Sequence, residues 1–343
     1  MAKKQDEYSK IMEELQNGQF RPIYVLHGEE PYYIDEISNY IENHALNEEE
    51  RDFNQITIYG IDTTAAFIAD QARRFPMMAE RQVIIVKEAQ AIKKWDQLET
   101  YLDNPQATSI VVICHKNGKI DGRKKIVTKA AKLGVVYESA KIYPNELPDF
   151  VENYIRQRHP ETSIEPKAVM MVVDHIGNDL SRIASEIDKV VVTLPANSRQ
   201  ITPATIEEKV GISKEYNTFE LQEALAAHDV LKAMRIADYF AKDPKVKDSV
   251  FSMMGMLFNY FQNLMICHYM PGEKRDVNIA QHLGLRGAWF ARNYETGVRH
   301  YSAMKTLQII SKIRETDIRM KGVDNRSATV GDLFRELIFF ILT

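Results

Sequence analysis

The residues whose spacing best suits chemistry lie at Gly28, where a short apolar run over residues 23–27 meets a predicted helix. In many α/β proteins such a strand–glycine–helix turn binds phosphates, because backbone N–H groups and the helix N-terminus point at the ligand. A P-loop needs the pattern G-x-x-x-x-G-K-S/T. In this chain Tyr33 replaces the second glycine, Ile34 the lysine and Asp35 the hydroxyl residue. The position suits a nucleotide but the side chains do not, so we expect no bound cofactor.

Other catalytic and metal-binding patterns are missing from the sequence. There is no HExxH, GxSxG, GxGxxG or CxxC pattern, and the nine histidines do not cluster at metal-ligand spacing. The apolar run 82–86 is followed by Lys87, where a magnesium-dependent NTPase of this layout would place an acid. We therefore predict neither a catalytic nor a metal site. A cryptic NTPase that binds nucleotide without the signature lysine remains an alternative.

An apolar segment precedes the run 82–86, where a polar connection is expected. It contains Phe75, Met77 and Met78 and lies beside the basic pair Arg73 and Arg74. Flexible, polarizable methionines suit adaptable protein-binding surfaces, and an apolar cluster with a charged rim can anchor in a partner's pocket. The residues alone leave a second interpretation open, in which Phe75 and one methionine cover the end of a sheet.

Positive charge is densest between residues 119 and 132, where Arg123, Lys124 and Lys125 are predicted to begin a helix. Cations at a helix N-terminus oppose the helix dipole, and contact with phosphate would explain that conflict. No aromatic residues alternate with these cations to stack on bases, which favours a solvated helix face. The three residues are therefore candidate DNA contacts, with a solvated face as the favoured interpretation.

The elements that position these residues follow from the hydrophobic pattern. Over the first 140 residues, helical segments alternate with continuous apolar runs such as 82–86 and 109–114. Such runs are typical of strands buried on both faces of a parallel sheet. Later segments nearly all have helical periodicity. The predicted fold is α/β plus all-α, with an α/β domain over 1–140 and helical domains over 141–211 and 212–343.

The charge balance limits the classes of function. The 343 residues include 44 Lys and Arg against 48 Asp and Glu, a formal charge of −4, which argues against a DNA-coating protein. Cys114 and Cys267 lie far apart in apolar runs, which predicts buried free thiols and a reducing compartment. The uncharged stretch 250–270 is long enough to span a bilayer. Because Asn259 and His268 are costly in hydrocarbon, we predict a buried helix of a bundle instead.

Several segments, in order along the chain, resemble the delta subunit of bacterial DNA polymerase III, a clamp-loader subunit. They are residues 22–32, 75–86, 119–125, 176–180 with 186–189, 218–221 and 315–322. The resemblance implies an AAA+-like parallel-sheet domain with a degenerate P-loop, a small helical lid and a helical collar that joins a hetero-pentameric ring. It also implies a cytoplasmic, nucleoid-associated accessory subunit of a DNA-directed DNA polymerase, with no membrane contact.

The same resemblance implies which residues act. Delta subunits insert a bulky apolar pair, typically Leu-Phe, into a hydrophobic pocket of the sliding clamp, the beta subunit, and destabilise one ring interface. Aligned through Arg81 and Gln82, the pair falls on Met77 and Met78, and Phe75 shares the role. Primer–template DNA would be contacted weakly or indirectly. Other clamp-loader subunit types, a further alternative, usually carry a cysteine-rich zinc module, whereas this chain has two cysteines.

Overall fold

The structure, a computed structural model, describes residues 2–195, 199–211, 216–242, 247–285, 287–325 and 327–343. The chain divides into two compact units, Met1–Tyr143 and Pro144–Thr343. The three-domain division proposed from the sequence, with boundaries after residues 140 and 211, stays a prediction.

The first unit is built on a parallel sheet of five strands in the order β2-β3-β4-β1-β5. The strands are β1 (Ile23–Gly28), β2 (Gln55–Tyr59), β3 (Gln82–Lys87), β4 (Ser109–His115) and β5 (Val135–Ser139). Every pairing in this sheet is parallel. The central strands carry the continuous apolar runs, as expected for strands covered on both faces. The predicted parallel sheet is confirmed.

Helices cover both faces of this sheet. They are α1 (Ala2–Gln16), α2 (Pro31–His44), α3 (Glu48–Asn54), α4 (Ala65–Ala72), α5 (Asp96–Tyr101) and α6 (Lys125–Leu133). Successive strand residues point to opposite faces, so Val25 joins the apolar cluster with α4 to α6 and Leu26 joins the cluster with α1 and α2. Two apolar clusters, one on each face, therefore hold the sheet between its helices.

Two predicted boundaries in this unit differ from the structure. Alternation predicts a strand over 53–59, but residues 53 and 54 belong to α3 and β2 begins at Gln55. A capping box between Asn47 and Glu50 starts α3 and favours the helical conformation. The helix predicted to begin at residue 123 begins at residue 125. The Asp121 carboxylate accepts a hydrogen bond from the Arg123 backbone N–H at 2.9 Å and holds that segment in a turn.

The second unit is almost entirely helical in its described residues. Its helices are α7 (Leu147–Arg158), α8 (Pro166–Ile176), α9 (Leu180–Thr193), α10 (Pro203–Val210), α11 (Thr218–Ala226), α12 (Val230–Lys242), α13 (Lys247–Tyr269), α14 (Asp276–Leu283), α15 (Ala288–His300), α16 (Ala303–Met320) and α17 (Val330–Leu342). Strands β6 (Ser163–Ile164) and β7 (Gln200–Ile201) form a short parallel pair. One apolar core joins helices α11 to α17.

Helix α13 contains nearly all of the uncharged stretch 250–270, whose length would allow it to span a bilayer. Its segment Val250–Tyr269 is long and apolar enough to cross a membrane, judged by length and composition alone. One face of the helix, which includes Met253, Leu257 and Phe261, is fully buried in the core of the second unit. The i, i+4 spacing of these residues is that of a helix packed on one side, which agrees with the predicted bundle helix.

Both cysteines are free and buried, as predicted. Cys114 lies on the central strand β4, and burial raises the pKa of its thiol to about 12. Burial also raises the pKa of Cys267, on α13, to about 11. Both thiols are therefore protonated at neutral pH and act as small apolar core residues.

Candidate functional site

The connection between α4 and β3, residues 73–81, presents the three apolar side chains singled out in the sequence; we call it the methionine loop. Phe75 is 76% exposed, Met77 63% and Met78 102%. All three side chains therefore face solvent and do not cover the end of the sheet. Exposed large apolar side chains grouped on one loop are typical of a protein-binding surface.

Polar side chains at the amino edge of the sheet hold this loop. The register of β2, β3 and β4 places Gln55 opposite Val83 and Gln82 opposite Ser109. Asn54, Gln82 and Ser109 therefore form a row where the three strands begin. All three are buried polar residues. Buried polar groups need hydrogen-bond partners, and in this row the methionine loop and its preceding helix supply them.

Asn54 bonds the middle of the loop. Its Oδ1 accepts a hydrogen bond from the Met77 backbone N–H at 2.6 Å, and its Nδ2 donates to the Met77 carbonyl oxygen at 2.9 Å. The same Nδ2 donates to the carbonyl oxygen of Glu50 at 2.9 Å, within α3. The peptide groups on both sides of Met77 are therefore bonded to one side chain.

Gln82 and Ser109 bond the start of the loop. The Gln82 side-chain amide donates to the carbonyl oxygens of Gln71 at 3.1 Å and Arg74 at 2.6 Å. Ser109 Oγ accepts from the same amide at 2.8 Å and donates to the Ala72 carbonyl oxygen at 2.7 Å. Carbonyl groups at a helix C-terminus lack partners within the helix, and these buried side chains supply them for α4.

Two arginines form a charged rim beside the loop. The Arg73 guanidinium lies 3.1 Å from the Asp70 carboxylate and 5.8 Å from the centre of the Tyr101 ring. The Arg81 guanidinium lies 5.3 Å from the centre of the Phe20 ring. Each cation is thus packed on an aromatic face at an end of the loop. Exposed aromatic and methionine side chains with arginines at their border have the composition of a protein interface.

The turn at Gly28 lies at the opposite, carboxyl edge of the sheet, and its backbone N–H groups bond to the protein. Gly28 N–H donates to the carbonyl oxygen of Gly118 at 2.9 Å. The N–H groups of Glu29 and Glu30 donate to the carbonyl oxygen of Ser139 at 2.9 and 3.4 Å. A Cβ on Gly28, whose φ is +143°, would lie 1.9 Å from that oxygen. The backbone N–H groups at this turn are therefore already bonded to carbonyl oxygens of the protein.

The residues that follow complete this structural turn. The Glu30 carboxylate caps α2 by accepting a hydrogen bond from the Tyr32 N–H at 3.1 Å. Ile34 is fully buried in the apolar cluster beneath α2. Asp35 forms an ion pair with Lys116, 2.6 Å from its carboxylate. Glu30, Ile34 and Asp35 thus serve capping, packing and pairing in this chain, and the last two occupy the lysine and hydroxyl positions of the P-loop signature.

The candidate DNA contacts also lie beyond the carboxyl ends of the strands, away from the methionine loop. Arg123 is ion-paired with Asp121 at 2.6 Å, and this guanidinium lowers the pKa of the Asp121 carboxyl group. Lys124 and Lys125 are exposed. Within the part of the chain that the structure describes, neither lysine has an acidic partner within 4.0 Å. The structure therefore separates these cations from Phe75, Met77 and Met78.

No metal centre is formed by the described residues: they contain no group of three or more His, Cys, Asp or Glu side chains that could hold an ion.

Asn54 is a site residue that nothing in the sequence indicated. Its partner Met77 lies 23 residues away. Gln82 could have been identified from the sequence, because it is a polar residue that directly precedes the apolar run 83–86.

The chain is similar to known proteins in sequence and in fold. Residues 24–140 match the family described as DNA polymerase III, delta subunit. DNA polymerase III subunit delta of Bacillus subtilis (strain 168) is 26% identical over 275 residues, which cover 77% of each chain. The solved structure of the Bacillus subtilis DNA clamp loader delta protein (YqeN) is similar with a TM-score of 0.53 and 22% identity, over 98% of this chain and 99% of that chain. At this identity, the structural likeness indicates a shared fold.

Proposed function

The resemblance to DNA polymerase III delta subunits is confirmed, and from this premise we propose that the chain binds the sliding clamp and helps to open its ring for loading onto primed DNA. The observation that carries the proposal is the methionine loop, where Phe75, Met77 and Met78 are exposed on a backbone bonded to buried side chains. A rigid loop that presents apolar side chains is suited to a hydrophobic pocket on a partner.

Ring opening is a population shift in this proposal. A closed clamp has a minor open state, and a ligand that binds the open or distorted interface more tightly raises its population. The shift is limited by the difference in affinity for the two states. Met77 and Met78 supply this difference when their apolar surface enters a pocket that the distorted ring presents.

Nucleotide chemistry is assigned to other subunits of the proposed hetero-pentameric ring. The N–H groups of Gly28, Glu29 and Glu30 already bond to backbone carbonyls, which argues against a cryptic NTPase. The chain then acts as an accessory subunit in the cytoplasm, associated with the nucleoid during replication. Primer–template DNA is touched weakly, through Arg123, Lys124 and Lys125, or indirectly.

The test is the double variant Met77→Ala/Met78→Ala. Each methionine buries apolar surface worth about 1.5–3 kcal/mol, so we expect clamp affinity to fall at least about 100-fold while the fold is retained. Calorimetric titration of the cognate sliding clamp with the purified chain, without ATP, measures the change. Met304→Ala, at a methionine that is 65% exposed on α16, is the matched control and should bind as wild type. Undiminished affinity of the double variant would refute the proposal.

A further inference from the structure

The bond between Asn54 and Met77 joins two parts of the chain that are 23 residues apart. Asn54 is 5% exposed and ends α3, one residue before β2. An asparagine side chain has an acceptor and a donor side by side, so it can pair with the N–H and the carbonyl of one residue. Asn54 thereby gives Met77 the two hydrogen bonds that a neighbouring strand would give, although Met77 precedes β3 and is not part of the sheet.

The loop needs such support, because its backbone is not relaxed. Met78 has φ +55°, in the left-handed region that non-glycine residues adopt rarely. Its side chain is fully exposed, so core packing does not hold it there. A conformation with this intrinsic cost persists only when surrounding contacts determine it. Among the described residues, the nearest hydrogen bonds that can hold it are the two between Asn54 and the adjacent residue Met77.

We propose that Asn54 is the positioning residue of the methionine loop, and that it holds Met77 and Met78 in their clamp-binding conformation before the clamp arrives. The inference rests on the proposed function. Asn54 itself is buried beneath the loop and contributes no surface to the partner. Its effect is therefore on the fraction of free molecules whose loop can bind.

This role has a kinetic signature that differs from that of a contact residue. When only a fraction of the free protein can bind, the apparent association rate falls in proportion to that fraction. The complex, once formed, retains its apolar contacts, so its dissociation rate stays nearly constant. Removal of an apolar contact has the opposite signature, because interface substitutions act mostly on dissociation.

The experiment compares Asn54→Ala and Asn54→Asp by surface plasmon resonance on the cognate sliding clamp. Asn54→Asp keeps the acceptor for Met77 N–H but turns an oxygen toward the carbonyls of Met77 and Glu50. We expect about a ten-fold loss of affinity for both, carried by slower association. Asn43→Ala is the matched control, because the Asn43 side-chain amide donates to the Asn39 carbonyl oxygen within its own helix, at 2.8 Å, and has no bond to the methionine loop. It should bind as wild type.

Each outcome bears on one of the two proposals. If Met77→Ala/Met78→Ala abolishes binding and the Asn54 variants bind as wild type, the positioning role is wrong and the proposed function stands. If the Asn54 variants lose affinity only through faster dissociation, Asn54 is not a positioning residue. If neither set of variants loses affinity, the proposed function fails.

A measurement on the unaltered protein keeps the inference testable if the variants do not fold. The backbone amide of Met77 donates to a buried acceptor in the free chain, so its hydrogen exchange should be slowed strongly. Exchange at the rate of an unstructured peptide would show that the bond does not form, and would overturn the inference.

Discussion

At the scale of single residues, Asp174 shows how its surroundings raise the pKa of a carboxyl group. It lines a cavity of about 590 Å³ in the second unit, together with Phe219, Trp289 and Tyr294. Among the residues that the structure describes, none forms an ion pair or hydrogen bond with its carboxyl group. Asp174 is half-buried, and this burial raises its pKa to about 7, because the ionised form loses part of its hydration without a compensating partner.

Replacement of this carboxyl group by an amide, Asp174→Asn, should stabilise the protein at neutral and alkaline pH. The pKa of Asp174 is higher in the folded protein than in the unfolded chain. The folded protein is therefore most stable while Asp174 is protonated, and its free energy of unfolding falls as Asp174 ionises. The advantage of the variant should be absent below about pH 4, grow up to about pH 7 and then level off at about 1–3 kcal/mol.

Urea unfolding across this pH range measures the difference in the free energy of unfolding between variant and wild type. Glu161→Gln, at an exposed carboxylate of the same unit, is the control and should show no such trend. An advantage of Asp174→Asn that does not vary with pH would contradict the raised pKa.

Some site residues were predictable from local sequence and others were not. Phe75, Met77 and Met78 could be identified because apolar side chains occupy a connection that would ordinarily be polar. Asn54 could not, because its role depends on a partner 23 residues away. Asp174 could not, because the aromatic rings that line the cavity with it come from other helices. A role created by tertiary contacts leaves no local pattern.

At the scale of elements, α13 and α15 pack closely at Gly297. A Cβ on Gly297 would lie 2.2 Å from the Tyr260 hydroxyl oxygen and 3.1 Å from Leu264 Cδ1. Tyr260 is buried, and its hydroxyl donates a hydrogen bond to the Asn293 carbonyl oxygen at 2.9 Å. The ring is therefore fixed at both ends and cannot move aside without loss of that bond.

We expect Gly297→Ala to destabilise the protein by about 1–3 kcal/mol, because overpacking outweighs the higher helix propensity of alanine. Gly255→Ala on α13 is the matched control, since no described atom outside its own stretch of helix lies within 4 Å of the added Cβ. That variant should gain about 0.5–1 kcal/mol. Thermal unfolding of both variants measures the difference, and stabilisation by Gly297→Ala would disprove the close packing.

Elements were predictable where one signal dominates. Strands β3 and β4 follow from continuous apolar runs, and the structure extends each by one residue beyond the predicted end. The predicted start of β2 at residue 53 was wrong. The alternating pattern over 53–59 competes with the capping box that begins α3, and this helix continues to Asn54. That single boundary matters for function, since Asn54 would point differently from a strand than from a helix end.

At the scale of the whole molecule, the proposed clamp-binding surface belongs to one unit. The methionine loop and the residues that hold it, Asn54, Gln82 and Ser109, all lie in Met1–Tyr143. Among described residues, the apolar clusters on both faces of the sheet draw only on this unit. A unit with its own core can in principle fold alone.

A chain that ends at Tyr143 should therefore unfold cooperatively and bind the clamp within about three-fold of the full-length affinity. Circular dichroism during thermal unfolding tests the fold, and calorimetric titration with the clamp tests binding. The same fragment with Met77→Ala/Met78→Ala is the control and should not bind. A folded fragment without clamp affinity would mean that residues of the second unit contribute to the surface.

Introduction of the P-loop signature side chains into this chain would not create a nucleotide site. A lysine at position 34 would replace a fully buried isoleucine and point into the apolar cluster beneath α2. The backbone N–H groups that would bind phosphate would still donate their hydrogen bonds to the carbonyl oxygens of Gly118 and Ser139. To bind phosphate, the turn at Gly28 and the segments that contain Gly118 and Ser139 would all have to change their backbone conformation. A few codon changes at the signature positions alone would therefore not convert this turn into a phosphate-binding loop.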